Sequence, residues 1–308
     1  MLDAGVTELS VTVTKPALNH GSIGPSCAVA HWKGDVLTVW AHSQNVFALK
    51  DSLARVLNHS RDKITVIFVP GAGFYGHNGS GDVALDAALM ARSTGRPVRS
   101  LWQRQDEPLH APLNPAMKTK MTALLDVNGR IVAYDALVTS SPHSTRPAGL
   151  NELNLRAQQF ISKPMPMAPG NDAQQPQGGA DRNAVPGYAI SAVQVVRQRP
   201  AYVPYRTVAV RGLGAFTQAI SWSLKEEISF AGGQNLTQNW DDYPILKFSE
   251  VPCMQTRLIG PQDAPPLGAG EISSGPAGAA VVNTVRHVLG VVTDRLPLSR
   301  HAFVALLS

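Results

Sequence analysis

The chain has 308 residues, 44% hydrophobic and 16% charged, enough to bury a sizeable core in one large domain or two smaller ones. Its net charge of +5 is spread without a block of like charges, which leaves nucleic-acid binding a weak case, and Cys27 and Cys253 alone cannot build a zinc site or an iron–sulfur cluster. Apolar runs stay shorter than about 18 residues and Met1–Ser10 lacks the basic-then-apolar pattern of a signal peptide, so a globular, cytoplasmic protein without a membrane span is expected.

In chain order, Leu9–Thr14 alternates as a strand does, and Ala28–Trp32 and Val36–Ala41 read as two strands joined by the turn Lys33-Gly34-Asp35. Val46, Leu49, Leu53, Val56 and Leu57 recur at helical spacing, which predicts a helix over Val46–Leu57. Ile64–Val69 reads as a strand buried on both faces. Val83–Ala91 reads as a helix with Asp82 as its N-cap and Gly95 just past its end. Val98–Trp102, Lys118–Asp126 and Arg130–Thr139 are further strands, the last two joined by Asn128-Gly129.

From Ser141 to Pro186 the sequence is rich in Pro, Gly, Asn and Gln and predicts a long ordered loop. Ala189–Val196 and Arg206–Arg211 return to strand character, Thr217–Glu227 reads as a helix, and Ala277–Leu289 predicts another, with Pro276 in its first turn and Gly290 after it. The expected fold class is α+β, with mixed sheets and packed helices.

Two stretches carry candidate chemistry. Gly71-Ala72-Gly73-Phe74-Tyr75-Gly76 follows a strand and matches the dinucleotide fingerprint G-x-G-x-x-G. Pro70 interrupts the strand-to-glycine junction, however, and His77–Gly81 separates the last glycine from the expected helix. The alternatives are a plain turn or a backbone cradle whose N–H groups meet an anionic cofactor. Glu271 stands among small residues in Pro266-Leu267-Gly268-Ala269-Gly270-Glu271, ahead of the last predicted helix. It is either a carboxylate stabilised by that helix dipole, by roughly 0.3–1 kcal/mol, or a general base worth roughly 10² to 10⁴ in rate. The nine histidines show no HxxxH or HExxH spacing and read as structural or exposed. A G-x-S-x-G elbow is lacking, which weakens a serine-hydrolase reading.

Together with His20–Ala30, Trp40-Ala41-His42-Ser43-Gln44, His143-Ser144-Thr145-Arg146-Pro147 and Arg211-Gly212-Leu213-Gly214, these stretches resemble the molybdopterin-binding large subunit of the xanthine dehydrogenase and aldehyde oxidase family, most closely its isoquinoline 1-oxidoreductase and nicotinate dehydrogenase branch. The resemblance implies a molybdenum-cofactor-binding domain fold and hydroxylation of an aldehyde or N-heterocycle carbon with water as oxygen source. It implies a molybdenum–molybdopterin cofactor in the cytosine dinucleotide form, its metal held by the pterin dithiolene and by no protein ligand. Electrons would pass to [2Fe–2S] clusters on a separate small subunit. Glu271 falls on the family's base, which deprotonates the hydroxide that attacks the substrate carbon. Gln44 falls on the glutamine that hydrogen-bonds an oxo ligand of the metal. Gly71, Ala72, Gly73, Phe74, Tyr75 and Gly76 fall on one cofactor loop, Arg211, Gly212, Leu213 and Gly214 on a second, and Gly268, Ala269 and Gly270 on the approach to the base.

The same resemblance divides the chain. Residues 1–216 correspond to a first molybdopterin-binding half-domain, incomplete at its start. After Phe216 the sequence passes to Gln218–Glu227, which resembles a much later family segment, so 217–308 read as the remnant of a second half-domain with a large block missing between. The rival expectations are a non-catalytic remnant and, on Gly71–Gly76 alone, a nicotinamide-dependent dehydrogenase.

Overall fold

A computed structural model describes residues 6–71, 73–140, 146–147, 153–168, 190, 192–197, 199–200, 213–254 and 273–307. Two larger sheets, a two-stranded one and a set of helices make up the described fold, as the α+β expectation requires. The expected strand Arg206–Arg211 and most of the loop 141–186 lie outside the described residues.

The first sheet places β1 (Thr7–Lys15), β6 (Met117–Leu125), β7 (Ile131–Ser140), β8 (Ala192–Arg197) and β9 (Arg199–Pro200) side by side in that order. β6 and β7 pair antiparallel as expected, and Asp126 closes their connection by accepting from the backbone N–H groups of Asn128 and Arg130. In the second sheet the order is β4 (Ile64–Phe68), β3 (Val36–Ala41), β2 (Cys27–Lys33), β5 (Val98–Leu101). β2 runs antiparallel to both β3 and β5, and only β3 and β4 are parallel.

Helices α1 (Val46–Leu57) and α2 (Ser80–Thr94) cover one face of this second sheet. Ala30, Leu37, Val39 and Ile64 from the strands join Leu49, Leu53, Val83, Leu85 and Ala88 from the helices in one core. The α1 bounds follow the sequence pattern, because Asn45 accepts from the N–H groups of Phe47 and Ala48 and Asn58 ends the helix in the left-handed region at φ 47°.

The structure corrects two expectations. Ile64–Val69 is not buried on both faces: β4 is an edge strand that exposes Thr65, Ile67 and Phe68, since among the described residues no further strand lies beyond it. Asp82 does not cap α2, which starts two residues earlier at Ser80. The Asp82 carboxylate is buried instead, accepting from Arg146 Nε at 3.0 and 3.1 Å and from the Arg156 N–H at 2.6 Å. Its partner Arg146 lies 64 residues away, beyond the reach of a local helix-start pattern.

Beyond the first sheet come α3 (Asp106–His110), α4 (Leu213–Leu224), the short pair β10 (Phe230–Ala231) and β11 (Gln234–Asn235), α5 (Ser274–Leu289) and α6 (Arg300–Leu307). The later elements dock on the early chain through backbone hydrogen bonds. Thr14 N–H donates to Asp294, Leu296 N–H to Thr14, and Ile228 N–H to Ala17. Leu298 N–H donates to Ser223, and α5 packs against α4. The end of the chain thus leans on β1 and on the segment that follows it.

Candidate functional site

Parallel pairing of β3 with β4 has a geometric consequence: both strands end at the same edge, so the segments that leave them emerge side by side. His42–Asn45 follows β3 and runs into α1, while Val69–Gly79 follows β4 and runs into α2. Val69 N–H donates to the Ala41 carbonyl and fastens the two exits together. The glycine loop therefore stands over the N-terminal ends of two helices and beside Gln44.

Its carbonyls are tied down by side chains from four separate places. Ser22 Oγ donates to the Gly73 carbonyl at 2.7 Å, and Asn78 Nδ2 donates to the same oxygen at 3.4 Å. Gln218 Nε2, from α4, donates to the Tyr75 carbonyl at 3.2 Å, and Gln44 Nε2 donates to the Gly76 carbonyl at 2.5 Å. Ser22 is itself held in place, because Arg104 donates to the carbonyls of Ser22 and Ile23 at 2.7 and 2.6 Å. With the carbonyls engaged, the N–H groups of Gly73, Phe74, Tyr75 and Gly76 take no partner among the described residues. A row of unpaired backbone donors is the chemistry that receives anionic oxygens.

The glycines are required by rings packed behind the loop. A Cβ on Gly71 would lie 2.5 Å from His42 Cγ, and one on Gly76, whose φ is +131°, would lie 2.1 Å from His20 Cδ2. His42 also stacks on Phe74, ring centroids 5.7 Å apart. Tyr75 adopts φ 51°, a conformation costly for a residue with a side chain, and one of the kind that persists where surrounding contacts over-determine it. Beneath the loop lies a cavity of about 370 Å³ lined by Cys27, Val29, Trp40, His42, Val69 and Gly71 among others.

Gln44, Gly71, Gly73, Phe74, Tyr75 and Gly76 are thus brought together. Ala72, Arg211, Gly212, Gly268, Ala269, Gly270 and Glu271 lie outside the described residues. Leu213 and Gly214 are the first two residues of α4, the helix that sends Gln218 to the loop. Ser22, His42, Asn78 and Gln218 carry no role in the sequence reading. Ser22 and His42 sit inside its quoted motifs, but His42 and Asn78 contact each other across 36 residues, which no local pattern reports.

The dinucleotide reading gains nothing from this geometry. Only three residues separate Gly76 from α2, fewer than His77–Gly81 suggests, yet β4 is an edge strand and the sheet is mainly antiparallel. The crevice of a doubly wound parallel sheet, where a dinucleotide sits, is not formed. Among the described residues no group of three or more His, Cys, Asp or Glu side chains could hold a metal ion, and no helix is long and apolar enough to cross a membrane.

This loop architecture lies in a segment that matches a known family model, the molybdopterin cofactor-binding domain, over residues 2–146. A nicotinate dehydrogenase subunit of Pseudomonas putida is 23% identical, in an alignment covering 97% of this chain and 35% of that protein. The aldehyde oxidoreductase molybdenum-binding subunit PaoC of Escherichia coli K12 is 29% identical over 42% of this chain and 18% of its own length. Among solved structures, quinoline 2-oxidoreductase of Pseudomonas putida 86 aligns with a TM-score of 0.40 and 20% identity, covering 46% of this chain and 18% of that one. Over residues 2–146 the chain is thus similar to molybdopterin cofactor-binding domains, and the curated proteins it resembles are a nicotinate dehydrogenase subunit and a molybdenum-binding subunit. It spans about a third of the length of the nicotinate dehydrogenase relative, and the alignment runs over 417 positions against 308 residues here, so at least 109 aligned positions face a gap in this chain.

Proposed function

We propose that the chain supplies half of the binding site for a molybdenum–molybdopterin cofactor in a hydroxylase acting on an aldehyde or N-heterocycle carbon. Residues 1–216 form the first half-domain in this reading and 217–308 carry a remnant of the second. One observation carries the proposal: Ser22, Asn78, Gln218 and Gln44 hold the carbonyls of Gly73, Tyr75 and Gly76, while the N–H groups of Gly73, Phe74, Tyr75 and Gly76 take no partner among the described residues, within the segment that matches the cofactor-binding domain. Such a surface fits an oxygen-rich anionic group.

When bound, the cofactor, in its cytosine dinucleotide form, supplies oxygen transfer and accepts two electrons; RH and H2O give ROH, two protons and two electrons. The chain's own residues bind and orient. The loop N–H groups would receive cofactor oxygens, Gln44 borders the loop through Gly76, and the family resemblance gives Arg211–Gly214 and Gly268–Gly270 the remaining cofactor contacts. Glu271 is the base, taking one of the two protons at a carboxylate oxygen. With only two cysteines in this chain, the electrons leave to a separate small subunit carrying [2Fe–2S] clusters. The cytoplasm is the compartment where such an assembly and two free cysteines belong.

A second reading, a non-catalytic remnant, is favoured by the 109 or more aligned positions missing from this chain. The variant Glu271→Gln separates the roles of that residue when the missing segments are supplied by a full-length relative or in trans. The amide keeps size and hydrogen bonding but cannot take the proton. Reduction by substrate in a rapid-mixing experiment should slow by at least about 10²-fold with molybdenum content unchanged. An unchanged rate overturns the base assignment.

A further inference from the structure

We propose that His42 and Asn78 are positioning residues that set the pose of the glycine loop, Asn78 locking the His42 ring in one tautomer and the Gly73 carbonyl in one direction. The inference rests on the cofactor reading above for its purpose, though not for its geometry.

Ser80 opens α2, and its N–H donates to Asn78 Oδ1 at 3.1 Å. An oxygen in that place fixes the flip of the amide, so Nδ2 must face the other way. There it stands 3.4 Å from the Gly73 carbonyl and 3.3 Å from His42 Nε2. An amide nitrogen only donates, so His42 Nε2 must offer its lone pair and the ring proton must sit on Nδ1. The Cys27 backbone lies near the ring and pulls its pKa weakly upward. A chain of hydrogen bonds thus runs from the first turn of α2 through Asn78 to His42 and to the Gly73 carbonyl.

Both side chains are almost wholly removed from water, Asn78 at 1% and His42 at 3% exposure. Burial holds the imidazole below the ordinary histidine value, against a weaker opposite pull from the Cys27 backbone, so the neutral ring that Asn78 demands is also the form the site favours. Neither partner can turn away without leaving a buried polar atom unpaired. The ring in turn shapes the loop from behind. It occupies the space that a side chain at Gly71 would need and stacks on Phe74. His42 therefore fixes Gly71 and Phe74 by contact, while Asn78 fixes Gly73 between them, with the N–H groups of Gly73, Phe74, Tyr75 and Gly76 left without a partner among the described residues.

The test uses the full 308-residue chain, labelled with ¹⁵N. Ring correlations of wild type should show neutral His42 protonated on Nδ1. Asn78→Ala should release that tautomer and shift the backbone amide signals of Gly73 and Phe74. His42→Phe keeps the stacked ring without an acceptor and should shift Gly73 as Asn78→Ala does; His42→Gln restores an acceptor and should leave Gly73 close to wild type. Thermal melts show which variants remain folded. In a preparation loaded with cofactor, molybdenum per chain should fall about tenfold in Asn78→Ala and His42→Phe and recover in His42→Gln. Protonation on Nε2 in wild type, or unmoved Gly73 and Phe74 signals in folded Asn78→Ala, overturns the proposal. If even wild type takes up no molybdenum in an assembly that supplies the missing segments, the cofactor reading fails alone and the ring measurement still judges the latch.

Discussion

At Gly71 the place for a side chain is taken: a Cβ would stand 2.5 Å from Cγ and 2.7 Å from Cβ of His42. Those atoms lie at the root of a buried side chain and cannot swing aside. Gly71→Ala should therefore cost about 1–3 kcal/mol, read as a lower urea midpoint with an unchanged slope. Gly73 offers a contrast on the same loop. A Cβ there meets the outer ring atoms of Tyr75, nearest at 2.8 Å, and Tyr75 is half exposed and free to move. Gly73→Ala should stay within about 0.5 kcal/mol of wild type. Equal stability of the two variants would mean that His42 does not pack beneath Gly71.

Among elements, α4 and the turn after it join late chain to early chain through a buried carboxyl. Glu226 is buried, as is Tyr243, whose hydroxyl donates to Glu226 Oε2 at 2.8 Å and accepts from Asn19 N–H at 3.0 Å. Burial raises the Glu226 carboxyl above its ordinary value, only partly offset by hydrogen bonds from Ser221 and Tyr243. A raised carboxyl binds its proton more tightly in the folded chain than in the unfolded one. Stability should accordingly fall as pH rises from 4.5, the ordinary value, to the raised one. Glu226→Gln removes this group, so the difference in urea midpoint between wild type and variant should shift in the variant's favour across that window and then level off. A difference that stays flat with pH would show that Glu226 titrates normally.

Elements also show what sequence can convey. Val46–Leu57 was legible to the residue because its apolar spacing and both caps are local, and the β2–β3 hairpin because Gly34, at φ 59°, supplies the turn the strands need. The strand at 64–69 was legible as a strand but not as an edge, since burial depends on neighbours that its own six residues do not mention. Asp82 illustrates the same limit with charge: its partner is Arg146, and the sequence offers only a carboxylate near a helix start. The glycine loop was legible as a place where the backbone is closely approached. What approaches it from behind, His42 at Gly71 and His20 at Gly76, follows from tertiary packing and has no local signature.

On the scale of the whole molecule, the loop is completed by pieces far apart in the chain. Ser22 arrives from ahead of β2, Gln44 from between β3 and α1, and Gln218 from α4. Both named relatives are themselves subunits, and this chain spans 35% of the one it matches along most of its length. Its cofactor site should accordingly need the segments it lacks, and turnover should need an iron–sulfur partner. The most direct measurement is the molybdenum and pterin bound per chain, together with the melting temperature, for wild type and Gly73→Val in an assembly that supplies those segments. A branched side chain at Gly73 would obstruct the surface of loop N–H groups proposed to receive cofactor oxygens. The account predicts molybdenum on wild type, about tenfold less on Gly73→Val, and a melting temperature little changed; wild-type molybdenum on the variant with a lowered melting temperature would contradict it.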